Sequence, residues 1–147
     1  MRVRHNFLSI AFAAAVATFG LARPANASVS LGLGADWIEG GTGEFNLTLG
    51  ADTFLARSFS LGGRAGVAFF DDSHHLGIPI DFRARLHVQR IYFEGLVGPW
   101  MIINSGELFH FHGAFGFGIE SGSLAFGLEV GRLARATMLG LRLAFRL

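Results

Sequence analysis

The amino-acid sequence predicts an all-β protein, an eight-stranded antiparallel up-and-down transmembrane β-barrel that follows a cleaved signal peptide. Three observations predict it. The N-terminus has the layout of an export signal, and the rest of the chain alternates between apolar and polar residues with a period of two. The mean hydropathy is +0.45, yet nothing after the signal is apolar for the ~18 consecutive residues that suggest a spanning helix. A closed barrel is the other architecture that satisfies its backbone in lipid.

The signal reads residue by residue. Arg2 and Arg4 supply a positive start, Phe7 to Leu21 an apolar core, and Ala25-Asn26-Ala27 a small-residue cleavage site. That core is short for a membrane anchor, which takes ~20 residues, and it leads straight into the cleavage site. The expected organisation is a signal peptide over 1–27 and one barrel domain over 28–147.

Eight alternating segments then follow, separated by glycine or polar clusters at hairpin spacing. Val29 to Trp37 sets Leu31, Leu33 and Ala35 against Gly32, Gly34 and Asp36. Glu44 to Leu55 sets Phe45, Leu47 and Leu49 against Glu44, Asn46, Thr48 and Asp52. Phe59 to Phe69 opposes Leu61 and Val67 to Gly62, Arg64 and Gly66. The fourth is the clearest, with Ile78, Ile80, Phe82, Leu86 and Val88 alternating with Asp81, Arg83, Arg85, His87 and Gln89.

The fifth, Ile91 to Met101, sets Ile91, Phe93 and Val97 against Tyr92 and Glu94, and loses phase at Gly98-Pro99, where a bulge or strand end is expected. The sixth carries Phe109, Phe111, Phe115, Phe117 and Ile119 against His110, His112, Gly116, Gly118 and Glu120. Leu124 to Arg132 opposes Phe126, Leu128 and Val130 to Gly127, Glu129 and Gly131. The last sets Leu139, Leu141, Leu143, Phe145 and Leu147 against Gly140, Arg142, Ala144 and Arg146.

Periodicity alone does not say which face is dry. A lipocalin-like soluble barrel would point the large apolar residues inward, whereas a membrane barrel points them outward and pairs its charges inside. The export signal, the low charge content of 16% and the many glycines on the polar faces favour the membrane. Glycine suits a solvent-facing strand poorly, but it leaves room for arginine side chains to lie across a narrow lumen.

Composition excludes several functions. Without the signal the chain has nine basic against 11 acidic residues, a formal charge of −2, because Arg2, Arg4 and Arg23 leave with it. A nucleic-acid partner wants a basic face, so none is expected. No cysteine is present, which removes disulfides, thiolate metal sites and a lipidated N-terminal cysteine together. All 12 basic residues are arginine.

The end of the chain, Gly140-Leu141-Arg142-Leu143-Ala144-Phe145-Arg146-Leu147, resembles the C-terminal strand signal by which outer-membrane barrels are recognised by the barrel-assembly machinery. That signal usually closes on an aromatic residue, and here it closes on Leu147. With eight amphipathic strands behind a signal peptide, the chain resembles the small OmpA/OmpX-type barrels. The resemblance implies residence in the outer membrane of a Gram-negative envelope, with both ends periplasmic and with membrane lipids and lipopolysaccharide as partners. It then places turns near Ala56 to Ser58, Val88 to Arg90 and Glu120 to Ser123 on the periplasmic side. The segments Ile38 to Gly43, Phe70 to Gly77, Ile102 to Leu108 and Leu133 to Thr137 face outward.

Candidate chemistry is sparse. His110-x-His112 puts two imidazoles on one strand face, about 7 Å apart, with Glu129 on the next strand as a conceivable third ligand. A polar lumen explains them equally well, so no metal and no cofactor are expected. Asp71-Asp72-Ser73-His74-His75 offers the types for cation binding, and Asp72, Ser73 and His74 those of a lipid A modifying enzyme. Adjacent loop positions seldom reach triad geometry, so no enzyme is expected. Phe82, Phe93, Phe115, Phe117, Phe126 and Leu143 are expected to face lipid, with Trp37, Phe69 and Phe109 in an aromatic belt.

Counting outward from each turn brings Arg83 or Arg85 opposite Glu94, Arg64 beside Asp81 and Arg83, and Asp52 diagonal to Arg64. The expected lumen network is therefore Asp52, Arg64, Asp81, Arg83, Arg85 and Glu94 in one chain, with Arg142 and Glu129 as a second pair. Such a plugged barrel points to a structural or envelope-integrity role. A narrow, porin-like passive pore for water or small ions is the alternative, and an enzyme acting on lipid A comes third.

Overall fold

A computed structural model describes residues 27–72 and 75–147. The expected signal peptide lies outside them except for Ala27, as do Ser73 and His74. Eight strands follow one another: β1 Ala27–Ile38, β2 Thr42–Ala56, β3 Phe59–Phe70, β4 Leu76–Val88, β5 Ile91–Ile103, β6 Phe109–Ser121, β7 Leu124–Leu133 and β8 Ala136–Arg146. Each pairs antiparallel with its neighbours in sequence, and β1 closes on β8. Closure leaves no edge strand, which is what allows a sheet to sit in lipid.

Followed once round the barrel, the pairing runs Ser28, Asp52, Gly62, Arg83, Leu96, Ala114, Gly131, Met138 and returns to β1 at Ile38, ten residues further along. That stagger tilts the strands by roughly 40° from the barrel axis and sets a narrow lumen that side chains can fill.

The two ends differ. At one, which also holds Ala27 and Leu147, the turns are the residue pairs Arg57-Ser58, Gln89-Arg90 and Gly122-Ser123. Gln89 and Gly122 have φ of 56° and 61°, the positive φ that tight hairpins demand at their first position. At the other, the loop end, the connections are Glu39–Gly41, the segment 71–75, Asn104–Leu108 and the pair Ala134-Arg135.

The outer wall is apolar. Phe82, Phe93, Phe115, Phe117 and Phe126 are exposed on it, and Leu143 is half-buried in the same phase. Near the loop end Trp37, Phe69 and Phe109 are exposed, joined by Phe45 and Phe111.

Two expectations are corrected. β5 runs unbroken through Gly98-Pro99, and its registers to β4 and β6 are the same on both sides of that dipeptide. A register shift does occur elsewhere, between Phe54 and Ala56 on β2. The hydrophobic alternation fades at Gly98 for another reason, which is that the inward residues there become apolar. Leu96, Trp100 and Ile102 point into the barrel. Trp100 and Ile102 join Ile38, Ala68, Phe70, Leu133 and Met138 in a packed cluster that closes the lumen at the loop end. The last strand also starts earlier than its alternation indicated, at Ala136 rather than Leu139, because Ala136 and Met138 belong to this inward cluster.

Candidate functional site

Below the apolar cluster the lumen is charged. Asp52, Arg64, Asp81, Arg83, Arg85, Glu94, Glu129 and Arg142 all occupy inward positions, and none is more than 8% exposed. Charges this deep in a water-poor interior need partners, since an unpaired one costs several kcal/mol. The side chains supply those partners in three groups.

The largest is centred on Glu129 of β7. Its carboxylate accepts Nη1 and Nη2 of Arg64 at 2.9 and 3.0 Å, and Nε and Nη2 of Arg142 at 3.0 and 2.9 Å. Arg64 also donates its Nε to Asp81 at 2.9 Å, its register partner on β4. Asp81 in turn accepts Trp100 Nε1 at 3.2 Å and sits 2.7 Å from His112 Nδ1. Arg142 Nη2 lies 2.7 Å from Asp36 Oδ1. Asn46 continues the group, donating to both Asp36 and Glu44 at 3.0 Å.

The second group belongs to Arg85. It donates Nε and Nη2 to Glu94 at 3.1 and 2.7 Å and Nη1 to Glu120 at 3.1 Å, with its guanidinium 4.3 Å from the Tyr92 ring centroid. Glu120 also faces His87 Nδ1 at 3.2 Å. The third is the ion pair of Arg83 with Asp52, made through both Nε and Nη2.

The grouping differs from a single chain plus a separate Arg142–Glu129 pair. Arg142 and Glu129 are joined to Arg64, whereas Arg83 pairs with Asp52 and not with Glu94. The members absent from the hairpin count are Asp36, Glu44, Asn46, His87, Trp100, His112 and Glu120. Most already stood on polar strand faces, so their inward direction was signalled; their partners across the lumen were not.

Arginine is suited to this task because its planar fork reaches two carboxylates at once, which a lysine ammonium does less well. Glycine supplies the room. A Cβ added at Gly50 would stand 2.7 Å from Arg83 Nη2, and one at Gly116 would stand 2.8 Å from Glu94 Cγ.

His110, His112, Asp71 and Asp72 have partners within the protein. His112 is engaged by Asp81, with its Nε2 3.5 Å from Glu129. His110 sits at the loop-end mouth, its Nε2 3.0 Å from the Glu107 carbonyl oxygen and 3.4 Å from Ser105 Oγ. The Ser105 hydroxyl lies within hydrogen-bond reach of the Ile102 and Glu107 carbonyls, so both side chains are engaged by the backbone of their own loop. Asp71 and Asp72 tie their loop to β2 by accepting from Gly43 N and Thr42 Oγ1 at 2.8 and 2.7 Å. Among the described residues no group of three or more His, Asp or Glu is arranged to hold a metal ion.

Little open space remains. A cup of about 230 Å³ opens at the loop-end mouth over Ile38, Phe70 and Leu133, and a pocket of about 20 Å³ lies at the other end beside Ser28, Arg85 and Glu120.

No protein-family model matches the chain, and no curated protein matches it. Solved structures do. A barrel from "De novo design of transmembrane beta-barrels" is similar with a TM-score of 0.68 and 12% identity, covering 86% of this chain and 100% of that one. The outer membrane enzyme PagL is similar with a TM-score of 0.59 and 12% identity, covering 80% of this chain and 98% of its own. Ail, the attachment invasion locus protein of Yersinia pestis, gives 0.54 and 11%, covering 82% and 97%. At such identities the likeness is one of fold. The chain is an eight-stranded transmembrane β-barrel, and its natural structural neighbours are outer-membrane barrels.

Proposed function

We propose that this barrel is a non-enzymatic component of the outer membrane with a structural or envelope-integrity role, its chain ends in the periplasm and its loop end outward. The observation that carries this reading is the double filling of the lumen. A layer of ion pairs occupies its middle, and the apolar cluster around Trp100 and Met138 seals the loop end. Its partners are then outer-membrane lipids, lipopolysaccharide and, during insertion through the Gly140–Leu147 strand, the barrel-assembly machinery. The serine and histidine that lie together at the mouth, Ser105 and His110, hydrogen-bond to backbone carbonyls in a way that supports a bracing role over nucleophilic catalysis.

The test is single-channel recording on the refolded chain in a planar bilayer, beside heat-modifiable gel mobility as the measure of folding. A folded barrel with no steady conductance is expected. Steady ohmic conductance from folded protein would replace this reading with the narrow-pore one.

A further inference from the structure

Among the described residues the sheet's outward rows carry a charge at one place, their other polar members being the neutral Thr53, Ser121 and Thr137. On β7 the outward side chains are Leu124, Phe126, Leu128, Val130 and then Arg132, which is exposed. Arg135 follows in the Ala134-Arg135 turn and is also exposed. The neighbours of Arg132 across the strand pairs are Gly113 on β6 and Thr137 on β8, so it stands in a notch between small residues. Bulky apolar groups flank that notch, Phe111 on β6 at 66% exposed and Trp37 on β1 at 58%.

The notch is braced. Arg132 Nη2 donates to the Arg135 carbonyl at 2.8 Å, which holds the guanidinium up toward the loop end and uses one of its five N–H groups. Ala134 N donates to the Phe111 carbonyl at 2.7 Å, and Thr137 N to Glu39 Oε2 at 3.1 Å. Elsewhere on the loop-end rim, among the described residues, the Asp, Glu, Lys and Arg positions are all acidic: Glu39, Asp71, Asp72 and Glu107. The two cations are therefore confined to one hairpin, on the side of the wall that meets lipid and at the level of the aromatic belt.

We propose that Arg132 and Arg135 form a clamp for a phosphate group of an outer-leaflet glycolipid, whose acyl chains lie along the β6–β7–β8 face. A guanidinium on a lipid-facing row is costly at depth but nearly free at the interface, and phosphate oxygens match its fork bidentately. The outward phase of Arg132 selects a lipid over a soluble partner, because only a molecule lying against the wall reaches that row together with Phe126, Leu128 and Val130. The assignment rests on the outer-membrane reading with the loop end outward.

The test is native mass spectrometry of the refolded barrel, taken from mixed micelles containing bis-phosphorylated lipid A or the same lipid with its phosphates removed. Heat-modifiable mobility is recorded on every sample. Retention of the phosphorylated lipid is expected to exceed that of the dephosphorylated one, and Arg132→Ala with Arg135→Ala is expected to weaken it about tenfold. Arg57→Ala with Arg90→Ala, at the opposite end, is expected to leave retention unchanged. Equal retention of the two lipids, or equal retention by the Arg132/Arg135 variant, overturns the clamp while leaving the membrane barrel standing. Displacement by millimolar inorganic phosphate also overturns it and marks a site for free phosphate. A chain that shows no heat-modifiable folded form fails at the earlier reading and takes the clamp with it.

Discussion

Arg64 on β3 and Glu129 on β7 meet across the lumen through two parallel hydrogen bonds of 2.9 and 3.0 Å. Their strands are not neighbours, so this contact exists only in the closed barrel. Replacing Glu129 by Gln removes the negative charge that Arg64 and Arg142 share and turns an amide donor against their N–H groups, and breaking a buried ion pair from one side costs about 3–5 kcal/mol. Urea titration in lipid vesicles is expected to show that loss, while Glu107→Gln, in an exposed loop, stays within about 0.5 kcal/mol of the parent.

Glu94→Gln is expected to be milder. Arg85 keeps Glu120 at 3.1 Å, so one acceptor is lost and not the whole compensation, a cost of about 1–3 kcal/mol. Unfolding midpoints that rank Glu94→Gln below Glu129→Gln in stability would contradict the division of the network into separate groups.

Conductance is expected to need two lesions. Glu94→Gln alone leaves the apolar cluster intact, and Trp100→Ala alone leaves the ion pairs, though it costs about 3–5 kcal/mol by opening a cavity. Only a variant carrying both is expected to give steady current in planar bilayers. Current from either single variant would show that one layer holds the seal by itself.

The outward wall offers a direct check on insertion. Phe115 stands midway along β6 and is 54% exposed, so arginine there is placed near the middle of the hydrocarbon layer at a cost of about 2–4 kcal/mol. Arginine at Phe109, in the belt, is expected to cost less than about 1 kcal/mol. Similar penalties at both positions would mean that the membrane does not lie across β6 as described.

Acid acts on the loop end through Glu39, whose carboxyl is held below its ordinary 4.5 chiefly by hydrogen bonding from Thr137, with Arg132 adding to the effect. A lowered value means that the ionised, bracing form persists as pH falls through 4.5 and is lost only below it. NMR in detergent micelles is expected to show the Thr137 amide unchanged at pH 5 and moving at lower pH. A midpoint at or above 4.5 would contradict the brace.

Strand number and antiparallel order were legible because alternation signs every position of an amphipathic strand, and the choice of outward face drew on the export signal, the low charge content and the glycines of the polar faces. Counting from the Gln89 turn puts Arg83 or Arg85 opposite Glu94, and counting through the preceding loop puts Arg64 beside Arg83 and Asp81; the register partners are Arg85 with Glu94 and Arg64 with Asp81. Such counting reaches only adjacent strands, so it has no access to Arg64 on β3 and Glu129 on β7, or to His112 on β6 and Asp81 on β4. It also fails where both faces are apolar. Leu96, Trp100 and Ile102 carry the same hydrophobic sign as the outward Val97 and Met101, so the inner cluster looked like a break in the strand.

The ten-residue stagger has a kinetic consequence. Hairpins such as β3–β4 and β7–β8 form from local contacts, but Glu129 acquires Arg64 only when β1 and β8 come together and the sheet curls shut. An open intermediate therefore carries carboxylates and guanidiniums that neither lipid nor a half-formed lumen accommodates. Hairpin pairs such as Arg64–Asp81, Arg85–Glu94 and Arg142–Glu129 lie between adjacent strands, so closure adds the last link, Arg64 to Glu129, and locks the two halves of the charged layer together.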